Sequence, residues 1–233
     1  MSERKISEKI KEIRNSVVAI GFSPALNQIT IIGSGFCISD DGKILTTAHI
    51  YTQTPPQSQA VLMAMAMVKQ EANGLEHYTW LPLTFVKKVD NYDLALFQVN
   101  NYKETLLRPS ELGNSDKVEV GQDVYFVGFP YAGQLINDGF GITLIVNRAM
   151  VSNIKQDGID LAHARNWFIV DAISNPGNSG CPLFDVETNK VIGIMSIAFR
   201  TQSKVQPDLD IREPMHIAGA KPINLAKKLL DKE

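Results

Sequence analysis

The 233-residue chain has little of what marks a small disulfide-built scaffold or a membrane protein. It carries only two cysteines, Cys37 and Cys181, too few for a disulfide framework in a chain of this length. Its most apolar run, "AVLMAMAMV", spans nine residues, about half of what a membrane-crossing helix needs. The N-terminal "MSERKISEKIKEIRNS" has no apolar stretch and no small-residue cleavage site, so no secretory signal is expected. A net charge of −2 supplies no electrostatic pull toward nucleic acid or an anionic membrane. Low-complexity segments and short-period repeats are missing as well. These absences lead to the expectation of a soluble, cytoplasmic protein with reduced thiols, and with neither nucleic acid nor membrane as a partner.

What is present is an ordinary globular composition, 44% hydrophobic and 21% charged. The length suffices to bury a core without a metal or a disulfide, and the residues call for no cofactor. Ile6, Ile10, Ile13 and Val17 recur at helical spacing among lysines, arginines and glutamates, predicting an amphipathic N-terminal helix over 1–15 with Ser2 as cap. Short β-prone runs then follow one another, among them "QITIIGSGFCI", "KILTTAHI", "LALFQV", "DVYFVGF" and "KVIGIMSIAF". Turn signals such as "SDDGK", "EANG" and "ETNK" separate them, a pattern of barrels or sandwiches. The polar piece "NNYKETLLRPSELGNSD" divides the runs into two comparable sets, giving a first barrel over 16–108 and a second over 109–233. The second set ends in a predicted helix, "INLAKKLLDK".

One stretch invites chemistry. In "SNPGNSGCPLF" two glycines, two prolines and two asparagines crowd around Ser179. Such a serine is usually a turn residue, and it becomes a nucleophile only with a base and a carboxylate to orient that base. Of the four histidines, His77 and His163 sit in polar, turn-like contexts and His216 reads as a strand residue, whereas His49 ends the apolar strand "KILTTAHI". Asp93 opens the apolar strand "DLALFQV" and is expected to be partly buried and to need a partner. Asp90 reads as solvated, and Asp171, in "FIVDAI", as half-buried and structural. Each residue alone has an ordinary structural reading. The order His49, Asp93, Ser179 is nevertheless one of the known orders of a His-Asp-Ser triad.

At these residues the sequence resembles trypsin-like serine peptidases, and specifically the HtrA/Deg branch. "GSGFCISDDGKILTTAHI" is similar to the family segment that ends in the catalytic histidine, and "DLALFQV" to the one that opens with the aspartate. "ELGNSDKVEVGQDVYFVGFP" matches the entry into the second barrel, and "WFIVDAISNPGNSGCPLF" followed by "KVIGIMSIAF" matches the nucleophile loop and its next strand. The resemblance implies an all-β protein of two antiparallel six-stranded barrels with a site between them. It implies a serine endopeptidase with His49 as base, Asp93 as its orienter and Ser179 as nucleophile. The backbone of Gly177 and Ser179 would form the oxyanion hole, and Ile173, Ser196, Ile197 and Ala198 the substrate pocket, with Ala218 to Ala220 behind it. Polypeptides are the implied substrates, with a preference for small or medium aliphatic residues before the cut bond. A regulatory protein partner or a homo-oligomer stays open.

The chain departs from the family pattern in three ways. It ends just past the closing helix, so the PDZ domain common in the branch is not expected, and no export signal is expected either. Cys181 stands where the family commonly has glycine, and reads as a small buried hydrophobe. Apart from these, Asn178, just before the nucleophile, stands where pancreatic-type trypsins carry an aspartate and offers no charge to a freshly cut N-terminus. Control is therefore expected from loops such as "YAGQLINDG" (Tyr131 to Gly139) rather than from proteolytic activation. The competing reading from another class is a catalytically silent peptide-binding module of the same fold.

Overall fold

The computed structural model describes residues 5–25, 28–59, 61–156, 165–202 and 212–230. Its strands form two closed antiparallel barrels. The first contains β1 (Val17–Ala25), β2 (Gln28–Cys37), β3 (Lys43–Thr46), β4 (Leu62–Gln70), β5 (Glu76–Val89) and β6 (Leu94–Val99), in the order β1-β2-β3-β6-β5-β4. The second contains β7 (Asp123–Gly128), β8 (Ile145–Lys155), β9 (Trp167–Val170), β10 (Pro182–Asp185), β11 (Val191–Gln202) and β12 (Arg212–Pro222), in the order β10-β11-β12-β9-β8-β7. This is the expected architecture, all-β with helices at the two ends of the described chain.

Several strands are apolar on both faces, and the two-residue alternation of a strand explains why. On β6, Ala95, Phe97 and Val99 fill the interior of the first barrel, while Leu94 and Leu96 face a cluster shared by the two barrels. On β7, Val124 and Phe126 point into the second barrel, while Tyr125 and Val127 join that shared cluster. The runs that read as continuously apolar in the sequence are thus the walls between the barrels. Phe36 and Leu45 from one side and Phe129, Phe184 and Ile194 from the other complete the seam.

The terminal helices close the same seam. Helix α1 (Ile6–Ile13) buries Ile13 in it, and Ile6 and Ile10 pack against it. Its Lys9 ammonium is buried and donates to the carbonyls of Val186 and Glu187 in the second barrel. The expected cap Ser2 lies outside the described residues; the N-cap is Lys5, with no side-chain hydrogen bond. At the other end the single predicted helix is a 3-10 turn over Ile223–Ala226 followed by a short α-helix over Lys227–Leu230. Between the barrels, Ser110 of the connecting segment donates from its backbone to the Cys37 carbonyl at 2.8 Å and from its hydroxyl to Ser16 Oγ at 2.7 Å.

Candidate active site

β3 ends at Thr46, and His49 lies in the first turn of a five-residue helix, α2 (Ala48–Thr52). The sequence placed His49 at a strand end; the turn into a helix exposes its ring at the seam instead of pointing it into a sheet face. A 3-10 turn over Asp90–Tyr92 hands on to Asp93, which takes a left-handed conformation (φ 53) before β6 begins. That bend brings the Asp93 carboxylate to two groups of His49: Oδ1 accepts the backbone N–H at 2.8 Å, and Oδ2 meets ring Nδ1 at 2.8 Å. The Ala48 N–H also donates to the Asp93 carbonyl at 3.1 Å. The carboxylate therefore holds both the ring and the chain of His49.

A third donor reaches Asp93 from the other barrel. Ser196, on β11, donates its hydroxyl to Oδ2 at 2.6 Å. Sequence reasoning placed Ser196 only in the pocket wall and missed this contact, since nothing in "KVIGIMSIAF" marks it. Burial alone would raise the Asp93 carboxyl, but the hydrogen bond and charge of His49, with the Ser196 hydroxyl, outweigh it and hold it below the usual aspartate range. With 23% of the aspartate side chain and 27% of the histidine exposed, water still screens the pair.

Ser179 sits in the turn that precedes β10, half-buried. Its carbonyl accepts from the Ser34 N–H of β2 at 2.8 Å, and the Ser34 hydroxyl donates to the Gly177 carbonyl at 2.7 Å. The loop is thus clamped to the first barrel through Ser34, a second residue the sequence reading did not single out. Gly177 has φ 100, and a Cβ on it would stand 2.4 Å from the Phe129 carbonyl oxygen. Only glycine fits there. Among the described residues, the N–H groups of Gly177 and Ser179 donate to nothing. The carbonyl of Pro176 is held by the Tyr131 N–H at 2.8 Å. Because a trans peptide sets C=O and N–H in opposite directions, that bond fixes where the Gly177 N–H points. Tyr131 opens the loop expected to exert control; the loop contains a short helix, α3 (Ala132–Asn137).

The remaining candidates fall as follows. Ile173 is half-buried ahead of the loop, and Ile197 and Ala198 lie on β11 opposite Gly219 and Ala218 of β12. His77 pairs with Glu71 at 2.9 Å on the far end of β5, and His216 is exposed on β12. His163 lies outside the described residues. Asp90 is exposed, as expected; Asp171 is exposed rather than half-buried, and ties β9 to β8 by accepting the Met150 N–H at 2.6 Å. Asn178 is buried, and its side-chain amide has no partner among the described residues. Cys37 and Cys181 are free and fully buried. Burial pushes the Cys37 thiol to about 11 and raises Cys181 too. Among the described residues, no group of three His, Cys, Asp or Glu side chains could hold a metal, and no helix is long and apolar enough to cross a membrane.

A family model for the trypsin-like peptidase domain matches residues 33–194. The mouse serine protease HTRA4 is 29% identical over 82% of the chain and 36% of its own length. A probable periplasmic DegP-like serine endoprotease of Halomonas elongata is 30% identical over 80% and 33%. The chain thus spans about a third of the length of these relatives. The crystal structure of Deg5 matches with a TM-score of 0.66 over 96% of this chain and 90% of that one, at 21% identity, which speaks for the fold alone. The expectation of a cytoplasmic location does not stand: relatives carry names that place them in the periplasm. Cysteine count was a poor guide to compartment, because two thiols buried in separate barrels stay unpaired for geometric reasons in any redox environment.

Proposed function

The chain belongs to the trypsin-like peptidase family, and from that premise we propose that it is a serine endopeptidase cutting polypeptides through an acyl-enzyme. His49 takes the proton of Ser179 as the hydroxyl attacks the carbonyl carbon, and then gives it to the leaving amine. Asp93 holds Nδ1 protonated, so that Nε2 is the basic nitrogen, and stabilises the imidazolium that forms. The developing oxyanion is received by the N–H groups of Gly177 and Ser179. Water then repeats the sequence on the acyl group and frees Ser179.

One observation carries this reading: a histidine gripped at ring and backbone by one carboxylate, across the seam from a serine flanked by two backbone donors without acceptors. On the acyl side we assign Ile173 to the pocket base, with Ser196, Ile197 and Ala198 as its wall. The Ser196 hydroxyl is engaged by Asp93, so this residue offers substrate its backbone. A pocket with no counter-charge rejects Lys, Arg and Asp and takes Val, Ala, Ile or Leu, with modest discrimination among them. A digest of a peptide library dominated by cuts after Lys or Arg would refute this pocket and leave the triad untouched. Polypeptides are the substrates, and the loop from Tyr131 is the point at which a regulatory partner or a second copy would act.

A silent peptide-binding module is the second reading, favoured by one feature: among the described residues the Ser179 hydroxyl makes no hydrogen bond, to His49 or to any other group. In substrate-free enzymes that bond is often long. Labelling with a fluorophosphonate, together with mass-spectrometric mapping of fragments from an unfolded protein, decides between the two. Label and fragments lost together in Ser179→Ala carry the peptidase; a folded wild type that takes no label and cuts nothing carries the binding module.

A further inference from the structure

Helix α2, which carries His49, is only five residues long, far short of the roughly 12–15 that a helix needs to hold itself in water. Its N-cap, Thr47, makes no side-chain capping bond. The pose of the helix, and of the imidazole on it, is therefore set by what packs around it. Asp93 grips one end, at the backbone N–H of His49 and at ring Nδ1. A grip at one end leaves the helix free to pivot, so a second contact has to fix its tilt.

Tyr51 supplies that contact. It stands two positions from His49, and residues at that spacing do not share a helix face. Its ring stacks on Phe85 of β5, with centroids 4.5 Å apart and planes at 12°, and meets Phe97 of β6 edge-on at 5.9 Å. Phe85 and Phe97 are cross-strand partners, themselves in edge contact at 5.7 Å. Stacked and edge-on pairs at such distances attract in a fixed orientation, because the ring quadrupoles must match. Phe97 is buried in the interior of the first barrel, so the trio anchors the helix to a packed wall. What the tilt controls shows at Ile50, between His49 and Tyr51. A Cβ on Gly33 of β2 would stand 2.3 Å from Ile50 Cδ1 and 3.0 Å from the Ser179 carbonyl oxygen. The helix of the base and the loop of the nucleophile thus meet at one bare backbone position.

Resting on the endopeptidase reading, we propose that Tyr51 is a positioning residue for the reaction: stacked on Phe85, it fixes the tilt of α2 and with it the distance from His49 Nε2 to the Ser179 hydroxyl. Asp93 sets the tautomer and the turn of the ring; Tyr51 sets where the ring stands. The proton passes only when the two atoms come within hydrogen-bond reach, and a misplacement of about 1 Å can cost about 10²-fold in rate. Tyr51 does not line the cleft that opens beside His49 and Gly177, so it acts on turnover and not on substrate binding.

The test compares Tyr51→Ala, Tyr51→Phe and a control, Ile154→Ala, which loosens the core of the second barrel. Each is measured for cleavage of a peptide with Val before the scissile bond, for melting temperature, and for the low-field proton resonance of His49 Nδ1–H. Tyr51→Ala should lower kcat by about tenfold or more with KM nearly unchanged, and should shift or broaden the resonance. Tyr51→Phe, which keeps the stack, should match the wild type in both. Ile154→Ala should lower the melting temperature and leave kcat and the resonance alone. A loss shared by Tyr51→Phe, a change in KM alone, or an equal loss in Ile154→Ala overturns the assignment. Phe85→Ala serves where Tyr51→Ala does not fold, since it leaves α2 intact and removes a ring already 37% exposed. Unchanged kcat and resonance in Phe85→Ala overturn the assignment as well. A wild type that cuts nothing overturns the peptidase reading, and the resonance then decides alone. Altered in Tyr51→Ala and kept in Tyr51→Phe, it supports the role of Tyr51; kept in both, it refutes that role.

Discussion

The hydroxyl of Ser34, in the first barrel, donates to the carbonyl of Gly177 in the second at 2.7 Å and accepts the Phe129 N–H at 3.0 Å. One buried side chain thereby sets the glycine peptide against both barrels. Ser34→Ala leaves the Gly177 carbonyl and the Phe129 N–H without a partner, a cost of about 1–3 kcal/mol. It should also lower kcat by about tenfold, less than the 10²–10³ for removal of a whole oxyanion donor, with KM nearly unchanged. Steady-state kinetics beside thermal unfolding checks this. A raised KM at constant kcat would show that Ser34 shapes binding only.

Tyr131 holds the Pro176 carbonyl from a left-handed backbone position, φ 49. Tyr131→Pro removes the N–H and cannot adopt that angle, so the peptide before Gly177 is freed and turnover should fall sharply. Tyr131→Gly keeps the N–H and relieves the strained angle, and should retain turnover on a substrate with Ala after the scissile bond. Equal activity of the two variants would remove this hydrogen bond from any role in ordering the oxyanion donors.

Asp93→Asn should reduce turnover by about 10⁴, since the amide supports the wrong tautomer of His49. Its effect on stability should depend on pH in a defined direction. The folded carboxyl sits below its ordinary range, so its contribution is fully present above the unfolded value of about 3.9 and is lost as pH falls through the folded one. The difference in melting temperature between wild type and Asp93→Asn should therefore close on acidification below about pH 4. A gap that widens there would reverse the sign assigned to this group.

Both thiols should resist modification in the native protein and react in denaturant. They are fully buried, and the raised values of Cys37, about 11, and of Cys181 leave almost no thiolate at neutral pH. Two equivalents in a denaturing titration against none in the folded protein is the expected result. Rapid native labelling of either cysteine would contradict it.

The sequence by itself determined the two-barrel architecture and the short list from which a site could be drawn. Alternating apolar runs broken by turn residues define strands locally, and the glycine-rich context of Ser179 and the apolar edge of Asp93 are local patterns too. Local pattern also carried errors: it set His49 at the end of a strand and Asp171 half inside the protein, because periodicity does not reveal where a chain bends. Ser34 and Ser196 were illegible as bridging residues. Each is a small polar residue in an apolar strand, and its importance lies in a partner 143 or 103 residues away. Only the closing of two barrels against one shared seam brings the first barrel's Ser34 to Gly177 and the second barrel's Ser196 to Asp93. That closure follows from strands apolar on both faces, which have no other way to bury their second side.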